Sequence, residues 1–259
     1  MSPKPLLISL IVVCFVIMLC GCQAQTIDGA EMNNANRLYE EGLLSEAATS
    51  YERLIAQGAY DGIIYYNLGN ACYRQGDLGH AILNYRRAER LLPRDHDIAE
   101  NLTLSRSQTV DRLEEGEDSL LAWADQAWRS YLTENEMAWA ALVAWLLAGL
   151  FGVLLFLQPS GRTAWTYGLS IALIVAVLLG VPLGVSARQE RRQPSAVLVA
   201  SQVDVRSGPG TDYVIEFSLH AGAELRILDQ QNGWTRITLP GDLEGWVPQD
   251  AVERIQVSR

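Results

Sequence analysis

The spacing of hydrophobic positions changes three times along the 259-residue chain. Residues 6–19 form an apolar run of 14, with Ser9 its one polar member, behind Lys4. Its length and its basic flank match a secretory signal core. From about residue 27 the apolar positions recur at helical spacing, which predicts short amphipathic helices. Residues 137–157 and 164–187 then give 21 and 24 positions without a charge, more than the roughly 18 to 20 needed to cross a bilayer. The six residues between them include Pro159 and Gly161, so the pair reads as a tight transmembrane hairpin. Beyond residue 195 the period falls to about two. Strands are predicted over residues 196–200, 203–205, 214–219, 224–229, 234–239 and 245–247, with hairpin turns at Asn232-Gly233 and Pro240-Gly241-Asp242. Six short strands in so few residues make a small barrel.

The fold class is therefore multidomain: an all-α repeat solenoid, a two-helix transmembrane hairpin and a small all-β barrel. The divisions fall at residues 1–25 (signal), 27–110 (repeats), 111–136 (linker and Trp-rich amphipathic helix), 137–187 (hairpin), 188–195 (basic linker) and 196–257 (barrel).

The helical region repeats itself at an offset of 34, where Ala35 meets Gly69, Asn36 meets Asn70, Tyr39 meets Tyr73, Gly42 meets Gly76, Ala47 meets Ala81 and Tyr51 meets Tyr85. At the same offset Asn67-Leu68 meets Asn101-Leu102, giving two full copies and the first helix of a third. Such a period is the signature of a helix-turn-helix array. Gly69 and Ala81 are expected to face each other where the two helices cross, with Leu68 and Tyr85 filling the space beside them. Gly76-Asp77 supplies the turn and Pro93 ends the second helix. The central copy, Tyr65-x2-Leu68-Gly69-x2-Cys72 followed by Ala81-x3-Tyr85 and Pro93, resembles the tetratricopeptide repeat. That resemblance implies a concave face formed by the first helix of each repeat, which takes extended peptides or partner helices. Asn36, Asn67, Asn70, Arg74 and Asn101 are its candidate contacts, each with ordinary solvated surface as the alternative.

Thr133-Glu134-Asn135-Glu136 has the capping-box pattern and predicts the start of the first span. Small residues recur every four positions on both spans, as Ala140, Ala144, Ala148 and Gly152, then Ala164, Gly168, Ala172, Ala176, Gly180 and Gly184. In lipid, close backbone approach at small residues is what holds helices together. Before the first span, residues 114–118 are acidic apart from Gly116, and Leu120, Leu121, Trp123, Ala124, Ala127, Trp128 and Tyr131 recur at helical spacing. They predict an interfacial helix or one that packs on the last repeat.

In the C-terminal region Asp204-Val205-Arg206-Ser207-Gly208-Pro209-Gly210, Leu219-His220-Ala221-Gly222, Gly233-Trp234 and Gly245-Trp246-Val247 follow in an order that resembles the bacterial SH3-like (SH3b) domain. The resemblance implies a groove for peptide or cell-wall material. Tyr213, Trp234 and Trp246 are its candidate aromatics and Arg206 its candidate carboxylate donor. For the tryptophans the alternative is core or rim packing, and for Arg206 it is bracing of the loop. Gly208-Pro209-Gly210 is no nucleotide loop, because no strand-to-helix transition follows it.

Charge narrows the function classes. The chain carries 30 acids against 20 bases, for a net charge of -10, and its hydrophobic content is 49%. Residues 26–136 hold 20 acids and 10 arginines, residues 195–259 hold 9 acids and 5 arginines, and residues 137–187 hold only Arg162. Two acidic soluble regions cannot draw affinity from phosphate neutralisation, which argues against nucleic acid. Lys4 is the single lysine, which excludes lysine-dependent nucleotide or Schiff-base chemistry in the soluble regions. His80, His96 and His220 lack metal-ligand spacing. No Ser or Cys sits in a nucleophile motif, no metal or other cofactor is implied, and an enzyme is not expected. Cys72 reads as a packed thiol.

Leu19-Cys20-Gly21-Cys22 resembles a bacterial lipobox, which implies lipidation at Cys22; cleavage near Ala24 and an uncleaved anchor are the alternatives. The whole order of signal, tetratricopeptide repeats, Trp-rich segment, hairpin and SH3b domain resembles the BatE-type aerotolerance family. Membership would imply a non-enzymatic scaffold in the bacterial inner membrane, working beside von Willebrand factor A-domain membrane proteins and a MoxR-type ATPase. A signal-type N-terminus places both soluble domains on the outer side. Arg188, Arg191 and Arg192 after the second span, against Arg162 in the turn, favour the reverse. The alternative function is a cell-wall recognition module that binds peptidoglycan and self-assembles through its repeats.

Overall fold

A computed structural model describes residues 29–111, 133–241 and 243–257. The signal-like run, Cys22, the acidic stretch and the Trp-rich segment before residue 133 lie outside the described residues.

Three of the repeat helices start where an aspartate side chain can satisfy the exposed backbone N–H groups of the first turn. The helices are α1 (Gly29–Glu40), α2 (Leu44–Ala56), α3 (Gly62–Gln75), α4 (Leu78–Leu91) and α5 (His96–Ser107). Asp61 caps α3 by accepting from Ile63 N at 2.9 Å, and Asp95 caps α5 by accepting from Asp97 N at 3.0 Å and Ile98 N at 3.2 Å. Gly42 and Gly76, 34 residues apart, both take the left-handed conformation that ends a first helix, at φ 80° and 81°. Tyr51, Leu54, Ile64, Leu68, Ala81 and Tyr85 form the buried spine of the array. Gly69 meets the ring of Tyr85: a Cβ there would lie 2.7 Å from Tyr85 Cδ1. Tyr85 spends that room on reaching across to α3. Pro93 follows the last turn of α4, as its missing N–H requires.

Two longer helices follow, α6 (Glu134–Leu157) and α7 (Arg162–Arg192), both long and apolar enough to cross a membrane. The capping box forms, with Thr133 Oγ1 accepting from Glu136 N at 3.2 Å and Glu136 Oε2 accepting from Thr133 N at 2.9 Å. A 3-10 turn over Pro159–Gly161 joins the pair. Between the helices Met137, Ala141, Ala144 and Ala148 are buried on α6, and Ala172, Ala176 and Leu179 on α7. Their spacing alternates four and three, the 3.5-residue period of a left-handed pair. The four-residue ridge meets the partner helix at Ala144, Ala148, Gly168, Ala172 and Ala176, while Ala140, Ala164 and Gly184 face outward. α7 continues through Arg192, so most of the basic stretch after the second span is helix.

Seven strands make the barrel: β1 (Ser195–Leu198), β2 (Gln202–Arg206), β3 (Ile215–His220), β4 (Glu224–Gln231), β5 (Trp234–Thr238), β6 (Glu244–Pro248) and β7 (Val252–Arg254). Their order is β3-β2-β6-β5-β4-β1-β7, with every pair antiparallel. Asn232 and Gly233, at φ 51° and 79°, make the tight β4-β5 turn their identities demand. The seventh strand was not expected from the pattern.

The barrel sits directly on the repeats. Val197 and Ile255 belong to the same apolar cluster as the repeat spine, with Val199 packed against it. A Cβ on Gly79, in the first turn of α4, would lie 2.9 Å from Leu198 O, so helix and strand touch backbone to backbone. On the other side of the contact a Cβ on Gly222 would lie 2.8 Å from Ile82 Cδ1 and Thr109 Cγ2. A solenoid of two and a half repeats leaves an apolar end that must be covered; here the barrel covers it.

Candidate functional site

The first helices of the repeats carry a polar ladder with its own repeat. Asn36 Oδ1 accepts from Tyr51 OH at 2.7 Å and from Asn67 Nδ2 at 3.2 Å. One repeat on, Asn70 Oδ1 accepts from Tyr85 OH at 2.7 Å and from Asn101 Nδ2 at 2.9 Å. Asn101 Nδ2 also donates to Tyr66 OH at 3.1 Å. The sequence reading brought the asparagines together but missed the tyrosines as their donors. The signal was present, since Asn36 with Asn70 and Tyr51 with Tyr85 share one offset. Burial holds both hydroxyls in the neutral, donating form, pushing Tyr51 up to about 12 and Tyr85 higher still. All four asparagines are half-buried. Among the described residues, no side chain pairs with Nδ2 of Asn36 or Asn70, or with Oδ1 of Asn67 or Asn101. Donors and acceptors so alternated match the C=O and N–H groups of an extended main chain.

Arg74 is exposed beside this ladder and is held by the preceding repeat: its Nη1 donates to Tyr39 O at 3.2 Å, and its guanidinium lies 4.7 Å from the centre of the Tyr39 ring. The structural positions Leu68, Gly69, Ala81 and Tyr85 are all buried. Cys72 is a buried free thiol that burial pushes up to about 12, so it is no nucleophile at neutral pH.

On the barrel, register decides which side chains share a face. Arg206 pairs with Trp246 across β2 and β6, and Trp246 pairs with Arg236 across β6 and β5. Directly opposed antiparallel residues point the same way. Arg206, Trp246 and Arg236 therefore form one row, with Trp234 opposite Pro248 beside it. Val205, Val247 and Ile237 point inward as the core. Both tryptophans are half-buried on the outer face, outside the barrel interior. Arg206 braces the loop, its Nη1 donating to Thr211 O at 2.7 Å and Tyr213 O at 2.9 Å. Tyr213 is 49% exposed and its ring lies over Gly208, where a Cβ would collide with it. Arg236 was not singled out in the sequence; its Nη2 donates to Glu244 Oε2 at 2.6 Å.

Arg86, Arg87, Arg90, Arg94 and Arg106 of the repeat domain pair with acids outside it. Arg86 pairs with Glu224 at 3.0 Å and Arg106 with the same carboxylate at 2.5 Å. Arg87 pairs with Glu253 at 2.7 Å. Asp111 closes the contact, accepting from His220 N at 2.6 Å. Arg90 reaches Glu190 on α7 at 2.7 Å, and Arg94 grips both oxygens of Glu136 on α6 at 3.0 and 2.7 Å. The end of α4 is thereby tied to both long helices. The three histidines differ in setting: His80 and His220 each face one aspartate, while His96, Asp97 and Glu100 come together on one exposed turn at the start of α5.

Residues 62–95 match the family model for the tetratricopeptide repeat, and residues 201–253 match the model for the bacterial SH3 domain. These segments are α3-α4 with the turn that follows, and β2 through most of β7. No curated protein matches the chain. Both families are typically binding modules without chemistry of their own. The chain is thus a two-module binding protein with a pair of apolar helices between its modules.

Proposed function

We propose that the chain is a non-enzymatic, membrane-anchored envelope scaffold of the BatE type. The carrying observation is that the asparagine ladder stays open while the barrel and the two apolar helices are fixed to the other side of the repeats through α4. A protein partner binds as an extended segment on Asn36, Asn67, Asn70 and Asn101, with Arg74 beside them. Glu40 and Glu46 stand exposed on the first repeat, while Glu41 is answered by Arg37 at 2.7 Å; the two open carboxylates fit a partner segment of basic character. The row of Arg206, Trp246 and Arg236, with Tyr213 and Trp234 near it, binds peptide or peptidoglycan. α6 and α7 span the bacterial inner membrane, and the signal-like N-terminus supports the outer side for both modules. Lipidation at Cys22 would add a second anchor. Von Willebrand factor A-domain membrane proteins working with a MoxR-type ATPase are the expected partners.

The test is affinity capture with the tagged full-length chain from detergent-solubilised membranes. A von Willebrand A-domain protein should be retained by the wild type and lost when Asn67 and Asn101 are both replaced by Ala. Capture that ignores the double substitution would remove the ladder from the binding face. Co-sedimentation with insoluble peptidoglycan, with no protein partner retained, would favour the cell-wall recognition reading in which the repeats pair with themselves.

A further inference from the structure

The inference here rests on α6 and α7 spanning a membrane as proposed above. α7 has 31 residues and at 1.5 Å per residue is about 46 Å long. A hydrocarbon core of about 30 Å is filled by its uncharged stretch, residues 164–187. The last turn and a half, on the same side as the repeats and barrel, therefore emerges among lipid headgroups. Arg188, Arg191 and Arg192 lie there at spacings of three and one, on one face of the helix, and all are exposed.

Glu190, the single acid within this cluster, does not neutralise it. It is turned to the protein, where its Oε1 accepts from Arg90 Nη2 at 2.7 Å and its Oε2 from Ser195 Oγ at 2.9 Å. No carboxylate among the described residues pairs with Arg188, Arg191 or Arg192. The helix end is also tied to the barrel, since Gln193 O accepts from Arg226 Nη1 at 3.3 Å. Three guanidinium groups are thus held outward at headgroup depth. Helix-dipole complementarity accounts for cations in the last turn, but not for three on the lipid side with their one neighbouring acid withdrawn.

We propose that Arg188, Arg191 and Arg192 form a headgroup site for anionic phospholipid, with guanidinium groups donating to the phosphate diester. Such a site would also resolve the charge asymmetry of the hairpin, because arginines bound to anionic lipid are held at whichever leaflet the domains occupy. The acidic segment at residues 114–118 is the rival occupant within the chain.

The full-length chain in detergent is titrated with phosphatidylglycerol or phosphatidylcholine and lipid retention is read by native mass spectrometry. Wild type should retain phosphatidylglycerol in preference, and R188Q/R191Q/R192Q should lose about tenfold or more of that preference. Equal preference in the triple variant, or none in the wild type, overturns the site. A preference that emerges only when Glu114, Glu115, Glu117 and Asp118 are replaced by Gln would assign the arginines to that segment and also overturn it. Alkaline carbonate extraction of membranes separates the two levels. A chain that is extracted defeats the spanning reading itself, whereas one that resists extraction without lipid preference defeats only the headgroup site.

Discussion

Asn70 shows how one residue carries both the stability of the repeats and their recognition surface. Its Oδ1 takes two donors, Tyr85 OH and Asn101 Nδ2, so removing it strands a buried hydroxyl. Asn70→Ala should cost about 1–3 kcal/mol, and Tyr85→Phe, which removes the donor instead, about 1 kcal/mol. Denaturant unfolding of the full chain in detergent checks the order. A larger loss for Tyr85→Phe would mean that the hydroxyl contributes beyond its bond to Asn70. Cys72 supplies a second expectation. With its thiol buried and raised to about 12, it should resist iodoacetamide at pH 8 until the repeats unfold, as peptide mapping of that cysteine would report. At this scale the sequence reading was good at identity and poor at partnership. The offset of 34 displayed Asn36, Asn70, Tyr51 and Tyr85 together, yet a linear pattern cannot say which hydroxyl turns toward which amide. Arg206 was left between loop and ligand, and only the carbonyls of Thr211 and Tyr213 place it against the loop.

Among the elements, helix ends and spans were the most legible, because caps and charge-free runs are local. The capping box at Thr133 formed as its spacing requires. β7 was missed since three residues, Val252–Arg254, show no period; it forms because β1 offers an open edge. The helical ridge packs over only part of its length for a different reason. A four-residue repeat of small residues drifts around a helix, and the packed face follows the 3.5-residue period instead. Ala144→Leu or Ala176→Leu should therefore destabilise the hairpin by about 1–3 kcal/mol through overpacking, while Ala140→Leu and Ala164→Leu should be tolerated, as thermal melts in detergent would show. The first turn of α4 carries a pH-sensitive cap. Asp77 Oδ1 accepts from His80 N at 3.1 Å and Oδ2 contacts His80 Nδ1 at 2.7 Å. The hydrogen bond to Asp77 raises His80 above its usual range despite partial burial. Burial pushes Asp77 up, but its bonds to His80 outweigh it and leave the carboxyl lowered. A raised histidine stabilises fully below its unfolded pKa of about 6.5 and loses that stabilisation as pH rises through the folded value. A lowered carboxylate loses its share as pH falls. The stability gap between wild type and His80→Gln should thus be largest near pH 6 and shrink above pH 7, modestly, because the pair is partly solvated.

Across the whole molecule, what no local pattern could show is that the repeat arginines are matched to acids far along the chain. Arg87 finds Glu253, Arg90 finds Glu190, and Arg86 and Arg106 share Glu224. Composition located the acidic excess without revealing that much of the opposing charge is used to assemble the modules. The helix pair makes such an assembly possible, since a two-helix hairpin returns the chain to the side it left. Gly79 is the position where this assembly can be tested most sharply. Glycine within a helix costs about 1 kcal/mol relative to alanine, so its place in the first turn of α4 calls for a packing reason. The reason is the backbone at the end of β1 and just past it: a Cβ would stand 2.9 Å from both Leu198 O and Val199 Cα and 3.1 Å from Val199 O. None of these is the movable end of a side chain, so Gly79→Val must push the barrel away from the repeats. Val197, Val199 and Ile255 would then leave the shared core, and the short solenoid would lose the cover on its end. In calorimetry the wild type should unfold its two modules in one transition. Gly79→Val should split that into two, with the repeats melting first and the barrel near its own limit. Glu224→Gln, which loosens the rim but keeps the apolar contact, should lower the single transition without splitting it. A Gly79→Val chain that still melts in one unchanged step would mean that the modules do not rest on each other in solution.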